Sequence, residues 1–319
     1  MDDKKRLLAR VAYMYYQEDM SQAEIAKTLG IYRTTISRML TKAKQQGIVE
    51  IKVHHFDSAI FELETFFKQK FDLTQIEIVP TSHRLTEKEK ADNLSVAAAE
   101  FIRKNISDDS VVGLSWGATI GRTISRISPK QTVDTVFLPI VGGPSHVNSK
   151  YHVNTLVYEM AKKFHGQSIF INATVIQESQ PLAAGIIKSK YFAEIHDYWS
   201  KMDTVILGIG GPLNYQNSQW RDLLTMKDIK ALKLREAVGD FACSFFDADG
   251  KVLKGDLYQR RIGIPVELIA KVPASIGIAN GLNKAPAILG LIRRGYINSL
   301  ITDQETALEM QRIFNENNA

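Results

Sequence analysis

Ser21-Gln22-Ala23-Glu24-Ile25-Ala26-Lys27-Thr28-Leu29-Gly30-Ile31-Tyr32-Arg33-Thr34-Thr35-Ile36-Ser37-Arg38 reads as two short helices joined by a tight turn. Ser21 and Glu24 have the spacing of a capping box, in which a serine oxygen and a glutamate three residues later satisfy orphan amides at a helix start. Ala23, Ile25, Ala26 and Leu29 then turn inward, and Gly30 stands just past the helix end, where left-handed backbone closes a helix. The next helix is predicted from about Tyr32 to Gln45, with Ile36, Met39, Leu40 and Ala43 as its buried stripe. Arg33, Thr34, Ser37, Arg38 and Thr41 fall on its opposite face. Upstream, Leu7, Leu8, Val11, Ala12, Met14 and Tyr15 mark a further helix that ends at Asp19-Met20. A short helix, a glycine-bearing turn and a helix with exposed arginine and hydroxyl groups form the helix-turn-helix pattern. Arginine can bind guanine through two hydrogen bonds, and threonine can meet a base or a thymine methyl in the major groove. Gln22 is placed to reach a phosphate or a base edge. A plain three-helix bundle with a polar face has the same periodicity. Gly47-Ile48-Val49-Glu50-Ile51-Lys52-Val53 adds a glycine turn and an alternating strand, the wing of a winged helix, with Lys42, Lys44 and Lys52 available to phosphates.

Charge supports this division. Residues 1–55 hold ten basic against six acidic side chains, whereas the rest of the chain holds 30 against 29. A basic end on a neutral body suggests a small nucleic-acid module attached to something larger. The 319 residues suggest about two domains, placed at 1–55 (motif about 21–44) and 56–319. A composition 45% hydrophobic and 24% charged excludes intrinsic disorder and collagen-like repeats. One cysteine, Cys243, allows no intramolecular disulfide. The start Met1-Asp2-Asp3-Lys4-Lys5-Arg6 is not a secretory signal. No run approaches the roughly 18 apolar residues of a membrane span. The expectation is a soluble cytoplasmic protein with no membrane partner.

His54 to Ser58 reads as a polar joint, followed by a helical stripe at Ile60, Leu63, Phe67 and Phe71 that packs on the second domain or on another subunit. Beyond it, strands are predicted at 76–79, 111–115, 135–141, 168–176, 204–209, 241–246, 275–279 and 299–302. Helices at 91–104, 151–164 and 285–294 alternate with them. This alternation implies an α/β domain with a mainly parallel sheet, in which ligands bind beyond the carboxyl ends of the strands.

Glycine collects at those ends. Gly113-Leu114-Ser115-Trp116-Gly117-Ala118-Thr119 stops a strand and begins a helix, whose free amides, with the Ser115 and Thr119 hydroxyls, make an anion seat. A tight turn with Ser115 as a cap fits the same residues. The spacing is neither the dinucleotide fingerprint nor a Walker loop. Gly142-Gly143 and Gly208-Ile209-Gly210-Gly211 mark two more strand ends, and the three together are expected to ring one crevice. Asp240 could accept sugar hydroxyl hydrogens, and Lys284, just before a helix, could reinforce the amides against a phosphate. Both also suit plain roles, a turn aspartate and a solvated lysine. Asp247-Ala248-Asp249-Gly250 reads as a hairpin turn rather than a calcium loop, because no ligating glutamate follows at the required distance. No metal-ligand spacing or cofactor motif is present in the sequence.

The run from Tyr15 to Arg38 resembles the SorC family of bacterial transcriptional regulators, and the likeness to its sorbose and sorbitol operon regulators is close. The resemblance continues through Ser115-Trp116-Gly117, Pro139 to Ser145, Tyr151 to Leu156, Gly239-Asp240 and Arg294-Gly295-Tyr296-Ile297-Asn298, so it covers essentially the whole chain. It implies a winged helix-turn-helix domain followed by an effector domain similar in fold to sugar-phosphate isomerases. It further implies a homotetramer on double-stranded operator DNA, with a phosphorylated sugar as effector. Gln22, Tyr32, Arg33, Thr34, Thr35, Ser37, Arg38 and Lys42 would then meet DNA. Ser115, Trp116, Gly117, Thr119, Gly142, Gly143, Gly210, Asp240 and Lys284 would meet the effector, the hydroxyl-bearing loop and the lysine on phosphate, and Asp240 on hydroxyls. This chain departs from some relatives in having Val141 where they carry lysine, which removes support for an imine with an aldehyde sugar.

The alternative is a sugar-phosphate isomerase or aldolase with an appended DNA-binding-like end, because fold does not settle function. Such an enzyme needs a base beside the carbinol carbon, and Asp240, His146 and His152 are the candidates. The sequence has no paired-carboxylate motif and no nucleophile elbow. The regulator is therefore the expected reading.

Overall fold

The computed structural model describes residues 3–50, 57–82, 84–144, 149–213 and 223–317. They divide into two compact units, 1–57 and 58–319.

The first unit has three helices, α1 (Asp3–Tyr16), α2 (Gln22–Leu29) and α3 (Arg33–Gln45). The Ser21 amide donates to Glu24 Oε2 at 2.8 Å and the Glu24 amide to Ser21 Oγ at 3.3 Å, so the capping box is formed on both sides. Gly30 closes α2 at φ 64°, ψ 32°, a conformation that costs glycine nothing. Val11, Met14, Ile25, Ile36 and Leu40 make the core. Ala23, expected inward, is exposed. The glycine turn expected at Gly47 forms. Gly47 adopts φ 67°, and the amides of Ile48 and Val49 both close on the Ala43 carbonyl. These two side chains are thereby turned onto Leu8, Ala12 and Ala43. Gly47–Glu50 contain no strand, and 51–53 lie outside the described residues.

The second unit opens with α4 (Ser58–Lys70), whose Ile60, Leu63 and Phe67 are buried in that unit's own core. Thereafter the order is β1 (Gln75–Val79), α5 (Glu87–Asn105), β2 (Val111–Leu114), α6 (Ala118–Arg126), β3 (Val136–Pro139), α7 (Val153–Phe164), β4 (Gln167–Ser168), α8 (Gln180–Ile187), α9 (Lys190–Lys201) and β5 (Thr204–Gly210). Then follow α10 (Met226–Leu234), β6 (Gly239–Phe241), β7 (Ser244–Phe246), two single helical turns α11 (Asp256–Gln259) and α12 (Val266–Ile269), β8 (Ala274–Ile278), α13 (Ala285–Arg293), β9 (Ser299–Asp303) and α14 (Gln304–Glu316).

Seven strands form a parallel sheet in the order β1-β9-β8-β5-β2-β3-β4, and the antiparallel hairpin β6–β7 pairs with the end of β5. Side chains alternate between two cores, as a sheet covered on both faces requires. Val112, Leu114, Ile206, Ile276 and Ile301 pack with α5, α6 and α7. Leu138, Val205, Leu207 and Leu300 pack with α4, α9, α13 and α14.

Two predicted strands take other forms. Of 168–176, only Ser168 lies in a sheet strand. Beyond it Ile171, Val175 and Ile176 are buried and Ile169, Phe170 and Ala173 half-buried; the Ile169 amide still donates to Phe137, but the backbone from 173 to 176 pairs with the Gly143 and Arg261 regions. Residues 241–246 are not one strand but the closing half of a hairpin, with Ala242 and Cys243 as its turn. Asp247 to Gly250 is the expected tight turn, with Asp247 Oδ1 accepting from the amides of Asp249 and Lys251. Among the described residues no helix is long and apolar enough to cross a membrane.

Candidate functional site

In the first unit, burial of Ile36, Leu40 and Ala43 fixes the rotation of α3 about its axis. That rotation leaves Tyr32, Arg33, Thr34, Thr35, Ser37, Arg38 and Lys42 exposed as one surface, and Tyr32 is 84% exposed. Gln22, the first residue of α2, is half-buried. Arg33, Arg38 and Lys42 make no ion pair with another described residue. Tyr32 gives α3 no side-chain cap, and the first turn holds no acid, so its N-terminal amides can face a phosphate. Lys44 is drawn instead over the Tyr16 ring at 5.7 Å. Lys52 lies outside the described residues.

In the second unit the sheet order reverses between β2 and β5. From β2 the chain proceeds outward to β3 and β4, and from β5 in the other direction to β8 and β9. A crevice beyond the carboxyl ends of the strands is expected at such a switch point. Ser115 directly follows β2, is buried, and ties it to β5, because its Oγ accepts from the Gly208 amide at 3.0 Å. Gly117 then begins α6 at φ 130°, without a side-chain cap, and a methyl there would meet nothing within 4 Å. Space thus opens over the first amides of α6. Trp116 and Thr119 are half-buried beside it.

On the β5 side Gly210 pairs with Asp240, and a Cβ on Gly210 would lie 2.0 Å from Asp240 Oδ1. Only glycine lets the carboxylate occupy that position. The neighbouring Gly211 faces Lys284, whose Cγ would be 3.2 Å from an added Cβ, and Asn283. Burial pushes the Lys284 ammonium below its ordinary pKa, Asp240 partly restores it, and Arg122 lowers it further. Arg122 stands one turn after Thr119 on α6, and its Nε is buried with no hydrogen-bond partner among the described residues. Sequence reading missed Arg122, although its spacing from Thr119 was the available signal. The charges of Asp240 and Arg122 thus both act on Lys284, and Asp240 and Lys284 lie against the adjacent Gly210 and Gly211. That arrangement suits a polyhydroxylated anion.

Gly142 and Gly143 do not offer their amides. The Gly142 amide donates to the Ile262 carbonyl and that of Gly143 to Ala173. Their missing side chains admit the 173–174 backbone and the His152 ring. His152 caps α7, its Nδ1 accepting from the Asn154 amide at 3.3 Å, and burial lowers its pKa. Asn154 in turn holds Ile171 through both backbone groups. Ser145 and His146 lie outside the described residues. The 294–298 motif is a joint at the opposite end of the strands, where Asn298 accepts from the Ser275 amide and donates to the Pro273 carbonyl. No cluster of three metal-ligating side chains exists among the described residues.

The family model Sugar-bind, described as a sugar-binding domain, matches residues 57–311. The chain is 33% identical over 307 residues to the sorbitol operon regulator of Klebsiella pneumoniae, covering 96% of this chain and 97% of that one. It is 28% identical to the deoxyribonucleoside regulator of Bacillus subtilis, again over 96% and 97%. The crystal structure of the full-length Klebsiella regulator SorC superposes with a TM-score of 0.75 at 32% identity, covering 96% and 98% of the two chains. A transcriptional regulator from Streptococcus pneumoniae superposes at 0.78 and 38%, covering 82% of this chain and 100% of that one.

Proposed function

The chain belongs to the SorC family of sugar-binding transcriptional regulators, and we propose that it controls a carbohydrate utilisation operon through a phosphorylated sugar. Residues 1–55 are the DNA-binding domain, a winged form of the helix-turn-helix, with α3 in the major groove. Residues 56–319 are the effector and oligomerisation domain, akin to sugar-phosphate isomerases, and assemble a cytoplasmic homotetramer. A single small recognition helix supplies too little specificity for an operator, which favours an oligomer. The sugar is of the sorbitol or sorbose kind, a reading supported by the likeness to the sorbitol operon regulator.

One observation carries the effector reading. Asp240 and Lys284 face the same glycine pair, Gly210-Gly211, at the sheet's switch point. The carboxylate receives sugar hydroxyls, while Lys284 and the α6 amides receive the phosphate. Bound sugar phosphate shifts the population of two arrangements of the DNA modules, and only its differential affinity for them moves the equilibrium.

A thermal-shift panel of phosphorylated and unphosphorylated hexoses and hexitols tests this reading. At about 100 times Kd the folded state gains ~2.7 kcal/mol, a rise of several degrees. A shift from a phosphorylated member alone, followed by altered operator binding with that compound, is expected. No shift with any phosphate, or an equal one with the free sugar, overturns the phosphate seat. Product formation at enzymatic rates overturns the regulator reading.

A further inference from the structure

We propose that Arg261 is the positioning residue of this crevice: its buried guanidinium holds the strained hairpin turn that follows Asp240 and so fixes where that carboxylate stands. Asp240 is the central residue of β6, paired with Gly210 on one side and Phe245 on the other. Two residues, Ala242 and Cys243, close the hairpin at φ 45° and 55°. A two-residue turn with both φ positive is ordinarily built from Asn-Gly or Asp-Gly, because a Cβ crowds the carbonyl in that region. Side chains at both positions leave the turn dependent on support from outside the hairpin.

Arg261 supplies that support. Its Nη1 donates to the Ala242 carbonyl at 3.0 Å and its Nη2 to the Ile264 carbonyl at 2.6 Å. The guanidinium lies over the Tyr258 ring at 4.9 Å. Arg261 is 5% exposed and forms no ion pair with another described residue. A guanidinium buried against carbonyls rather than a carboxylate is costly to desolvate, so its retention needs a compensating task. Gly263 makes room for it, since an added Cβ would sit 2.7 Å from Nη1. Residues 262 and 264 also pair with the end of β3, through the Gly142 amide to Ile262 and the Ile264 amide to Ile140. Arg261 therefore fastens the Asp240 hairpin to the strand end that bears Gly142 and Gly143. The consequence for ligand rests on Asp240 being an effector contact; the fastening does not.

Cys243 makes the fastening measurable. It is the chain's one cysteine, it occupies the turn itself, and it is buried. Reaction of the native full-length chain with Ellman's reagent therefore reports opening of this turn. The wild type is expected to react slowly, Arg261→Met at least tenfold faster with a cooperative melt retained, and Arg261→Lys in between. A folded Arg261→Met that reacts at the wild-type rate overturns the proposal. If Arg261→Met does not fold, adding Ala242→Asn with Cys243→Gly, the pair this turn prefers, is expected to restore a cooperative melt; no restoration overturns it. For positioning, glucitol 6-phosphate and inorganic phosphate are titrated calorimetrically. Arg261→Met is expected to weaken the hexitol phosphate at least tenfold and leave inorganic phosphate unchanged. An equal effect on both overturns the positioning role. If neither probe binds the wild type, the effector reading fails, and the labelling rates still decide the fastening.

Discussion

Gly210→Ala tests the crevice by moving one functional group. The new methyl would stand 2.0 Å from Asp240 Oδ1 and 2.8 Å from Cγ. Nonbonded atoms settle at about 3.5 Å, so the carboxylate oxygen has to withdraw by about 1.5 Å. Hydrogen bonds span only about 2.5–3.2 Å, so the bonds proposed between Asp240 and sugar hydroxyls would be lost. A hydrogen bond to a charged group contributes ~1.5–3 kcal/mol, or about 10- to 150-fold in Kd. The overpacking itself costs ~1–3 kcal/mol, which a domain with ~5–15 kcal/mol of stability survives. Calorimetric titration with the sugar phosphate picked out by the thermal-shift panel reads the affinity. Melting reads the fold, and an operator gel shift without ligand reads the other unit. The expected pattern is weakened ligand, a slightly lowered melting point and unchanged DNA binding. Wild-type ligand affinity in a folded Gly210→Ala protein would refute the assignment of Asp240.

Arg38→Ala is expected to weaken operator binding by ~1–3 kcal/mol if it reads a base, with effector affinity unchanged; a gel-shift titration that moves less counts against α3 as the reading helix. Lys284→Met and Arg122→Gln should each abolish or sharply reduce the shift given by the phosphorylated ligand while leaving operator binding intact. A normal ligand response in Lys284→Met removes it from the phosphate seat. The depressed pKa of Lys284 has a definite sign: the ammonium is present below that pKa and is lost at a lower pH than for a free lysine. Phosphate affinity is therefore expected to fall on the alkaline side as pH rises through the lowered value. Lys284→Arg, which stays charged, should lose this limb; an unchanged alkaline fall in that variant refutes the origin.

Local chemistry made much of the first unit legible. The capping box at Ser21 and Glu24 and the left-handed closure at Gly30 depend on neighbours in sequence, and both form. Of the wing expected at 47–53, the glycine turn forms at Gly47, residues 48–50 hold no strand, and 51–53 lie outside the described residues. Ile48 and Val49 are more valuable as a cover for Leu8, Ala12 and Ala43. In the second unit, the hydrophobic runs expected as strands at 168–176 and 241–246 are partly and fully buried respectively, but neither pairs as one strand. Burial needs only an apolar side chain, whereas pairing depends on which distant backbone arrives alongside.

The sequence by itself determined that a basic helical unit precedes an α/β body, because helical period, caps and strand alternation are set by residues a few positions apart. It also marked Ser115, Gly210, Asp240 and Lys284 as unusual residues at element ends. Only the tertiary structure decided which of them meet. β6 pairs with the end of β5 and sets Asp240 against Gly210, while β8 lies beside β5 and leads to Lys284 against Gly211. The same packing turned Gly142 and Gly143 to their own backbone contacts and revealed Arg122 and Arg261. A glycine at a strand end has the same local signature whether it yields to a ligand, a carboxylate or a neighbouring chain segment. What fills the space is settled by long-range packing.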